Sequence, residues 1–565
     1  MKCVPAFIKL SVAIILSAVA HSAQLYTDVT SSMGISVPGL GSSAAWSDLD
    51  GDGDLDLLVS TSSGMNVFLY RNDGNAFTNV LAGSGLPTEA RNFAVGGYDN
   101  DGLDDIAIIS FGYVDAKLFH NIGGMLFDDV SDTAPVYGTY SWRCSWVDYN
   151  DDGWLDLHLC GNTNYLFRND GDFTFTECAA SAGIQTGGRS CAWLDYDNDG
   201  LEDCYVGRNG SPNLLYHNKG DGTFEEVGTS AGVADPNGTS GVCAGDYDGD
   251  GWFDLYSVNI NSPRNYLYRN MGNGTFQDVT LAMGVSDVGD GRTATFLDID
   301  YDGLIDLFTS NHVNPNRLYR NNGIGPFTDI ASALGIDQPA DPFGTAFGDY
   351  DGDGDIDLFL ATHFGNSLLR CDGVTNHWIV LRLIGIVSNR SAIGAVVRCT
   401  AGGVTSYQRV DGGHGMGDSD SQALEFGLGQ STGPIEVEVH WPSGLVESYS
   451  DLAADTHVDI TEGSGTGLEG QAEASPGCLA VLDAWPNPAS DLLFFSCWIP
   501  SAGNPDRMIS VAVFDIAGHS VLSFDIGAPD GASTLSLPLG GMSPGIYILR
   551  VSSGAESAAR SFAVI

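Results

Sequence analysis

The chain has 565 residues, of which 72 are acidic and 23 basic, so its formal net charge is -49. Such a charge repels nucleic acids and anionic membrane surfaces, and it excludes both as expected partners. The hydrophobic fraction of 43% predicts packed domains rather than a disordered acidic chain.

Residues 1–23 are predicted to be a secretory signal peptide. Lys2 and Lys9 lie before and within an apolar run that ends in Ala18-Val19-Ala20, and Ala23 offers a second cleavage position. The run is too short to span a bilayer, and no later segment reaches about 18 uninterrupted apolar residues. We therefore expect an exported protein without a transmembrane segment, secreted or attached to the outer surface.

Seven aspartate-rich loops recur every 47 to 52 residues. We number them loops 1 to 7: DLDGDGDLD (48–56), GYDNDGLDD (97–105), DYNDDGWLD (148–156), DYDNDGLED (195–203), DYDGDGWFD (246–254), DIDYDGLID (298–306) and DYDGDGDID (349–357). A fixed period of this length is typical of repeat architectures. After each loop the sequence shows an apolar run, an aromatic hairpin with Asn and Gly and, in six units, an F-x-D-V-like element. Four short strands in about 50 residues predict one propeller blade.

The phase of the repeat predicts a closed ring. The last unit stops near residue 373, and its missing element, LYTDVTSSMGI, stands at 25–35 instead. An N-terminal strand that completes the last blade removes a free sheet edge, whereas an open solenoid would not need the displaced piece. We predict an all-β chain with a seven-bladed β-propeller at 24–375.

Two further β domains are predicted after the propeller. Alternating strand patterns indicate a small β domain at 376–461, and the Gly/Ser/Glu-rich segment 462–477 reads as a linker. Residues 478–565 have the strand pattern of a small β-sandwich. In an oxidising compartment Cys144 and Cys160, which lie symmetrically about loop 3, could pair, and so could Cys478 and Cys497.

The loops have the composition of calcium sites. Calcium prefers six to eight oxygen ligands, and Asp at positions 1, 3, 5 and 9 of a tight loop supplies them, with a backbone carbonyl from position 7. Several carboxylates within nine residues repel one another, so each loop should fold together with its cation. An EF-hand is ruled out, because position 12 is Val59, Ile108, Leu159, Val206, Ser257, Thr309 or Leu360 and never Glu.

We predict up to seven structural calcium ions. Loop 2 should be the weakest site, since Gly97 replaces the first Asp. The predicted ligands are Asp48, Asp50, Asp52, Asp54 and Asp56; Asp99, Asp101, Leu103 and Asp105; Asp148, Asn150, Asp152, Trp154 and Asp156; Asp195, Asp197, Asp199, Leu201 and Asp203; Asp246, Asp248, Asp250, Trp252 and Asp254; Asp298, Asp300, Asp302, Leu304 and Asp306; and Asp349, Asp351, Asp353, Asp355 and Asp357.

These motifs resemble known families. Residues 25–373 resemble the FG-GAP-like (VCBS) repeats of integrin-α-type propellers. The second domain resembles the ASPIC/UnbV family through Asn376-His377-Trp378, SNRSAIGAVVR (388–398), FGLG (426–429) and HWPSG (440–444), although the family's Gly-x-Gly-Tyr stretch is here GGHGMGDSDSQ (412–422). The tail resembles a type IX secretion sorting domain through WPNPASDLLFF (485–495), VFDIAGHSV (513–521) and MSPGIYILRV (542–551), without the usual terminal lysines. The whole is similar to the cartilage acidic protein family.

The sequence is compatible with three functions. The resemblance implies a secreted or cell-surface adhesion or recognition protein, monomeric, with structural calcium and a glycan or protein ligand. A polysaccharide-active enzyme is the alternative, with His414 beside Asp411 as the candidate base, although an ordinary exposed loop histidine explains it better. The third is a purely structural surface spacer. We expect no enzyme, because the phased carboxylates serve the metal, and we expect Trp154 and Trp252 to pack between blades.

Overall fold

In this computed structural model the described residues are 25–467, except 63–65, 110–115, 139, 262–263, 339–341, 364, 416–417 and 451, and the strands between Ala480 and Val564. The predicted signal peptide and Cys478 lie outside these residues. In the described part of the chain the helices are single turns, and none has the length or apolarity needed to cross a bilayer.

Seven sheets, each with four antiparallel blade strands, account for residues 25–372. We call them blades 1 to 7. Blade 1 contains β2 (Gly41–Ser47), β3 (Asp56–Thr61), β4 (Val67–Asn72) and β5 (Phe77–Asn79). Blade 2 contains β6 (Asn92–Gly96), β7 (Asp105–Ile109), β8 (Lys117–Asn121) and β9 (Phe127–Asp129). Blade 3 contains β10 (Ser141–Val147), β11 (Asp156–Gly161), β12 (Tyr165–Asn169) and β13 (Phe175–Glu177).

The remaining blades repeat this order. Blade 4 contains β14 (Ser190–Leu194), β15 (Asp203–Gly207), β16 (Leu214–Asn218) and β17 (Phe224–Glu226). Blade 5 contains β18 (Thr239–Gly245), β19 (Asp254–Asn259), β20 (Tyr266–Asn270) and β21 (Phe276–Asp278). Blade 6 contains β22 (Gly291–Leu297), β23 (Asp306–Asn311), β24 (Arg317–Arg320) and β25 (Thr328–Asp329), and blade 7 contains β26 (Pro342–Gly348), β27 (Asp357–Thr362), β28 (Ser367–Asp372) and β1 (Leu25–Asp28).

The innermost strands form a closed cycle around a central channel. β2 contacts β6, and the contacts continue through β10, β14, β18, β22 and β26 back to β2. Blade 7 takes its outer strand from the start of the chain, since Leu25 pairs with Asp372 and Asp28 with Leu369. The predicted all-β fold with propeller blades is confirmed, and the displaced N-terminal element closes the ring as the sequence phase required.

Apolar cores fill the spaces between adjacent blades. The second strand of blade 1, DLLVST, is buried along its whole length, because a sheet packed between two neighbours buries both faces. Four blades follow their outer strand with a single helical turn: α1 (Ala179–Ala182), α2 (Gly228–Ala231), α3 (Thr280–Met283) and α4 (Ala331–Leu334). Each turn ends at a glycine with positive φ, as at Gly183 with φ 83°.

The second domain has two sheets. One has the order β33-β29-β36, built from β29 (His377–Ile384), β33 (Leu424–Gly429) and β36 (Thr456–Thr461). The other has the order β31-β30-β34-β35-β37, built from β30 (Val396–Ala401), β31 (Val404–Arg409), β34 (Ile435–His440), β35 (Val446–Tyr449) and β37 (Thr466–Gly467). A short strand, β32 (Asp418–Ser419), leaves this domain and pairs in parallel with β2 in the central channel.

The C-terminal strands form two further sheets that contact each other. One has the order β38-β39-β42 and the other β41-β40-β43-β44. Their bounds are β38 (Ala480–Trp485), β39 (Leu492–Ile499), β40 (Met508–Asp515), β41 (Ser520–Gly527), β42 (Gly531–Pro538), β43 (Gly545–Ser553) and β44 (Glu556–Val564).

The predicted Cys144–Cys160 disulfide is wrong. In the pairing of β10 with β11, Cys160 stands opposite Arg143 and Cys144 opposite Leu159. Because adjacent residues of a strand point to opposite faces, the two thiols lie on different sides of blade 3. Cys144 belongs to the core toward blade 2, whereas Cys160 shares the core toward blade 4 with Cys191.

Candidate metal centres in the aspartate loops

Each aspartate loop connects the innermost strand of a blade to the second strand, so all seven lie at one end of the channel. In loop 5 the carboxylate of Asp246 is the centre of the turn. It accepts hydrogen bonds from the backbone N–H groups of Gly249 (2.9 Å), Asp250 (3.2 Å) and Gly251 (2.8 Å). Gly249 and Gly251 have φ values of 69° and 85°, a left-handed conformation that favours glycine. Loop 7 has the same bonds around Asp349.

The aspartate at position 9 is fully buried and anchors the loop to its blade. Asp254 accepts one hydrogen bond from the backbone N–H of Tyr247 (3.2 Å) and another from the backbone N–H of Asn270 (2.7 Å) in the third strand. The equivalent pair of bonds occurs in every blade. Position 9 is therefore part of the fold as well as a candidate ligand.

An asparagine that follows the hairpin aromatics joins neighbouring blades. The Asn270 side-chain amide donates to the carbonyl of Phe253 in its own loop (3.1 Å) and to that of Tyr196 in the loop of blade 4 (2.7 Å). We call this bridge the asparagine latch. Blades 1 to 6 each latch to the preceding blade, through Asn72, Asn121, Asn169, Asn218, Asn270 and Asn321. In blade 7 the corresponding residue is Cys371, whose backbone N–H still bonds Asp357.

Carboxylates at positions 1, 3 and 5 converge. In loop 5 one oxygen from each of Asp246, Asp248 and Asp250 lies within 4.8 Å of the other two. Burial, together with the like charges of Asp250 and Asp248, raises the pKa of Asp246 to about 7 against the opposing backbone hydrogen bonds. Burial likewise raises the pKa of Asp148 to about 8 in loop 3. These clusters are electrostatically costly without a cation.

The donor set fits a hard divalent cation. Asp50 Oδ1, Asn150 Oδ1 and Asp197 Oδ1, all at position 3, are buried oxygens with no hydrogen-bond partner among the described residues. A buried acceptor without a donor is unfavourable, and a bound cation would satisfy it. Carboxylate and amide oxygens are the ligands that calcium prefers, so the residues present suit the predicted ion.

Basic side chains from the third strand reach the same clusters, which the sequence analysis did not anticipate. Arg269 lies 2.6 Å from Asp248 and 3.0 Å from Asp250. His120 in loop 2 lies 3.2 Å from Asp99 and 3.1 Å from Asp105. The sequence signal is the Arg or His immediately before the latch asparagine in motifs such as YLYRN. In loops 2, 4, 5 and 6 these side chains offset part of the negative charge, whereas Arg71, Arg168 and Arg370 of the other blades pair with hairpin aspartates instead.

Position 7 contributes a backbone hydrogen bond to each loop. The N–H groups of Leu103 and Trp252, for example, donate to the carboxylates of Asp101 and Asp250. The indole of Trp252 lies against Gly272 in the hairpin of its own blade, as the indole of Trp154 does against Gly171. Both tryptophans thus pack as predicted, but within a blade rather than between blades.

Loop 2 differs from the others because it is docked to the second domain. Its Gly97 N–H donates to Ser391 Oγ (3.0 Å), and the Asn100 side chain accepts the N–H of Arg390 (2.7 Å). Asp104, a half-buried residue at position 8, accepts hydrogen bonds from Ser47 (2.7 Å) and Ser391. The missing first Asp is thus replaced by contacts with serine rather than by another carboxylate.

The second domain covers the loop-bearing end of the propeller. Arg409 pairs with Glu202 in loop 4 (2.8 Å), Glu425 accepts the N–H of Asp349 in loop 7 (3.1 Å), and the Asn376 amide donates to the carbonyl of Asp300 in loop 6 (2.7 Å). A cavity of about 520 Å³ remains between this domain and loops 1, 2 and 7, lined by Asp48, Asp349, Arg382, Glu425 and His457 among others. Parts of loops 4, 6 and 7 therefore lie at a domain interface, whereas other loop residues, such as Asp52 and Asp199, stay exposed.

Residues 411–415 and 418–422 of the second domain enter the channel, and we call them the inserted segment. Gly412 accepts the N–H of Trp146 (3.0 Å), Gly415 donates to Val242 (3.2 Å), and Asp420 accepts the N–H of Phe347 (2.8 Å). His414, expected as an exposed loop residue, is instead 9% exposed. Its ring lies 2.7 Å from Asp411 and 3.1 Å from the hydroxyl of Thr295 in blade 6. The contacts of His414 thus hold the inserted segment in the channel.

Comparison with known protein families agrees with this architecture. A model of the FG-GAP-like repeat matches residues 48–108, 148–206, 195–257, 246–309 and 298–360. A model named ASPIC and UnbV matches residues 385–467, and one of a secretion system C-terminal sorting domain matches residues 483–564. The three resemblances found in the sequence are confirmed, and the sorting domain identifies a protein that is secreted and attached to the surface.

Cartilage acidic protein 1 is a homologue of this chain. The protein from Xenopus tropicalis is 27% identical over 288 residues, which cover 38% of this chain and 43% of the relative. The one from Mus musculus is 27% identical over 473 residues, covering 72% of this chain and 71% of the relative. The crystal structure of AofleA from Arthrobotrys oligospora has a TM-score of 0.32 at 12% identity and covers 51% of this chain and 86% of its own, too low a similarity to guide interpretation.

Replacing Asn270 with leucine should destabilise the protein by about 2–5 kcal/mol, because the carbonyls of Phe253 and Tyr196 would each lose a buried donor. Chemical denaturation monitored by circular dichroism measures the change. Asn322→Ala is the matched control, since Asn322 lies exposed on the blade 6 hairpin. Equal losses in the two variants would show that the latch contributes no particular stability.

Proposed function

We propose that this chain is a calcium-stabilised recognition protein of the cell exterior, in which the metal loops hold the propeller and the second domain in one arrangement. The observation that carries the proposal is the position of the acidic clusters. They lie at the end of the propeller that carries the second domain, and the backbones of Asp300 and Asp349 form hydrogen bonds with that domain. A cation at this position would stabilise the loops and their contacts with the second domain, and other surfaces would remain available for a ligand.

Calcium would be held by side-chain oxygens from positions 1, 3 and 5 together with position 9. In loop 5 these are Asp246, Asp248, Asp250 and Asp254, and the sequence pattern adds the backbone carbonyl of Trp252 at position 7. The bound ion would supply positive charge to a cluster that repels itself. Backbone N–H groups of the chain orient the carboxylates of Asp246 and Asp254.

We propose no catalytic role. Asp411 contacts His414, and His414 contacts the hydroxyl of Thr295. An enzyme could use such a chain as an orienting carboxylate, a general base and a hydroxyl nucleophile. Thr295, however, is 4% exposed and lies on the inner strand of blade 6 beneath the inserted segment. Recognition by a surface, with a glycan or protein as ligand, is the function that this arrangement favours.

Removing calcium should lower the melting temperature by more than about 5 °C, because each site saturated at about 100 times its Kd contributes roughly 2.7 kcal/mol. Differential scanning calorimetry of the protein with calcium and with EGTA measures the effect. Magnesium at the same concentration is the control ion. An identical melting temperature in EGTA would refute the structural role of calcium, and Asp248→Asn should remove one equivalent of bound calcium.

Calcium-free protein should become less stable as the pH rises from about 5.5 to about 8. Burial raises the pKa of Asp56 and Asp246 to about 7, above the unfolded value near 4, so their protonated forms favour the folded state at low pH. That contribution is lost as the pH passes through the folded pKa. Thermal melts of calcium-free protein at both pH values test this, with calcium-saturated protein as the control. A higher melting temperature at pH 8 in the absence of calcium would contradict it.

The recognition role itself requires a binding measurement. Calcium-loaded protein applied to an array of polysaccharides and extracellular matrix proteins should bind a subset of them, and EGTA treatment should weaken that binding by loosening the scaffold. Turnover of any polysaccharide by the purified protein, abolished by His414→Gln, would favour the enzyme instead. Failure to bind any member of the array in either state would favour a purely structural spacer.

A further inference from the structure

Two cysteines of neighbouring blades lie in the core between blades 3 and 4. Cys160 belongs to β11, the second strand of blade 3, and Cys191 belongs to β14, the innermost strand of blade 4. Both are buried, with 0% and 2% of their surfaces exposed, and both belong to the apolar core that fills this interface. Neither the calcium loops nor the recognition role accounts for this pair.

The strand registers direct both thiols toward the same interface. His158 and Cys160 share one face of β11, and Cys191 and Trp193 share one face of β14, because side chains two residues apart in a strand point the same way. These two faces are in contact with each other. The ring centres of His158 and Trp193 are 5.3 Å apart, and Ser145 Oγ of blade 3 lies 3.8 Å from Cys191 Sγ.

The next blade interface shows that side chains at these two positions meet. Cys160 is the residue at position 13, counted from the start of loop 3, and Cys191 stands four residues before loop 4. At the same positions, the interface between blades 4 and 5 has Gly207 and Val242. A Cβ atom placed on Gly207 would lie 3.0 Å from Val242 Cγ1. Side chains this close are compatible with a disulfide, whose Cβ atoms are about 3.5–4.5 Å apart.

Cysteine occupies both positions at one interface of the ring. A disulfide there would link two blades that packing and the latch of Asn218 already hold together. The pairs at the equivalent positions of the other six interfaces are Ser60 and Phe93, Ile109 and Cys144, Gly207 and Val242, Val258 and Ala294, Ser310 and Thr345, and Ala361 and Ala44.

The two thiols also hydrogen-bond each other. This bond and burial raise the pKa of Cys160, whereas the same bond lowers the pKa of Cys191 well below its usual value against the effect of burial. A hydrogen bond between two thiols requires their sulfur atoms to be in contact. The core between blades 3 and 4 therefore holds two adjacent thiols, and Cys191 is the one that favours the thiolate form.

We propose that Cys160 and Cys191 form a disulfide in the exported protein and thereby join blades 3 and 4 covalently. The sorting domain directs the chain out of the cell, and disulfides persist in the oxidising compartments that exported proteins enter. The bond would restrain the unfolded chain and so favour the folded ring. It depends on neither calcium nor a ligand, so it stands or fails separately from the proposed function.

The oxidation is a thiol–disulfide exchange with an oxidant protein of the export compartment that carries a reactive disulfide. The Cys191 thiolate attacks that disulfide and displaces one of its sulfurs, which leaves a mixed disulfide. The Cys160 thiolate then attacks Cys191 Sγ and displaces the second sulfur. Two S–H bonds are thus lost and one S–S bond forms, while the oxidant takes up two electrons and two protons as its dithiol. Because both thiols are buried in the folded ring, the exchange takes place while blades 3 and 4 are still docking.

Peptide mapping of the full-length protein, exported into an oxidising periplasm, tests the proposal. The protein is denatured without reductant in N-ethylmaleimide, digested with trypsin and analysed by mass spectrometry. Cleavage after Arg143, Arg168, Arg189 and Arg208 gives the peptides 144–168 and 190–208. We expect these two peptides to be linked, with Cys144 and Cys204 alkylated and the fragment ions placing the bond between Cys160 and Cys191.

Cys160→Ser should abolish the linked peptide. Cys144→Ser is the matched control and should retain it, because Cys144 lies on the other face of the same blade. Alkylation of all four cysteines in the wild-type protein would overturn the proposal, and so would a bond that involves Cys144 or Cys204. Should Cys160→Ser fail to fold, the fragment ions of the wild-type peptide make the same decision.

Reduction provides a second measurement. A phosphine reductant should lower the melting temperature of the calcium-loaded wild-type protein by about 5 °C more than that of Cys160→Ser. The comparison cancels the effect of any other disulfide, since both proteins contain the same remaining cysteines. Equal shifts in the two proteins would contradict a bond between blades 3 and 4.

Discussion

The structure depends on one buried carboxylate per blade. The aspartate at position 9 fixes its own loop through one backbone N–H and the third strand through another, as Asp254 does with Tyr247 and Asn270. Because the side chain of the same asparagine reaches the loop of the preceding blade, a single residue pair connects loop, blade and ring. Hydrogen bonds to a buried charged group are among the stronger ones in proteins, and repetition around the ring multiplies their effect.

This arrangement determines where the negative charge lies. The backbone orients the carboxylates of positions 1, 3 and 5 toward one point, and the Arg or His of the third strand offsets only part of their charge. The second domain then covers the loops and inserts a segment into the channel. Part of this negative charge thus lies at the interface with the second domain, where a cation would stabilise the loops that make the contacts.

Much of the fold was predictable, because the loops, the strand pattern and the displaced N-terminal element repeat within the sequence itself. The positions of the loop aspartates could be assigned for the same reason. The asparagine latch was missed, since Asn before Gly is also an ordinary turn signal and its partner lies about 70 residues away, as with Asn270 and Tyr196. The Cys144–Cys160 disulfide was predicted wrongly because the two residues are equally far from the middle of loop 3 in the sequence. The strand register differs from this symmetry and places Arg143 opposite Cys160.

The composition of the opposite end of the channel could not be predicted from the sequence either, because the residues that meet there are far apart in the chain and share no motif. Only the cyclic contact of the innermost strands brings Arg91 and Arg292 to one opening. Each innermost strand contributes its first residues to one end of the channel and its aspartate loop to the opposite end. A closed ring thus turns a sequence period of about 50 residues into one cluster of acidic loops at a single end, which no short stretch of the sequence reveals.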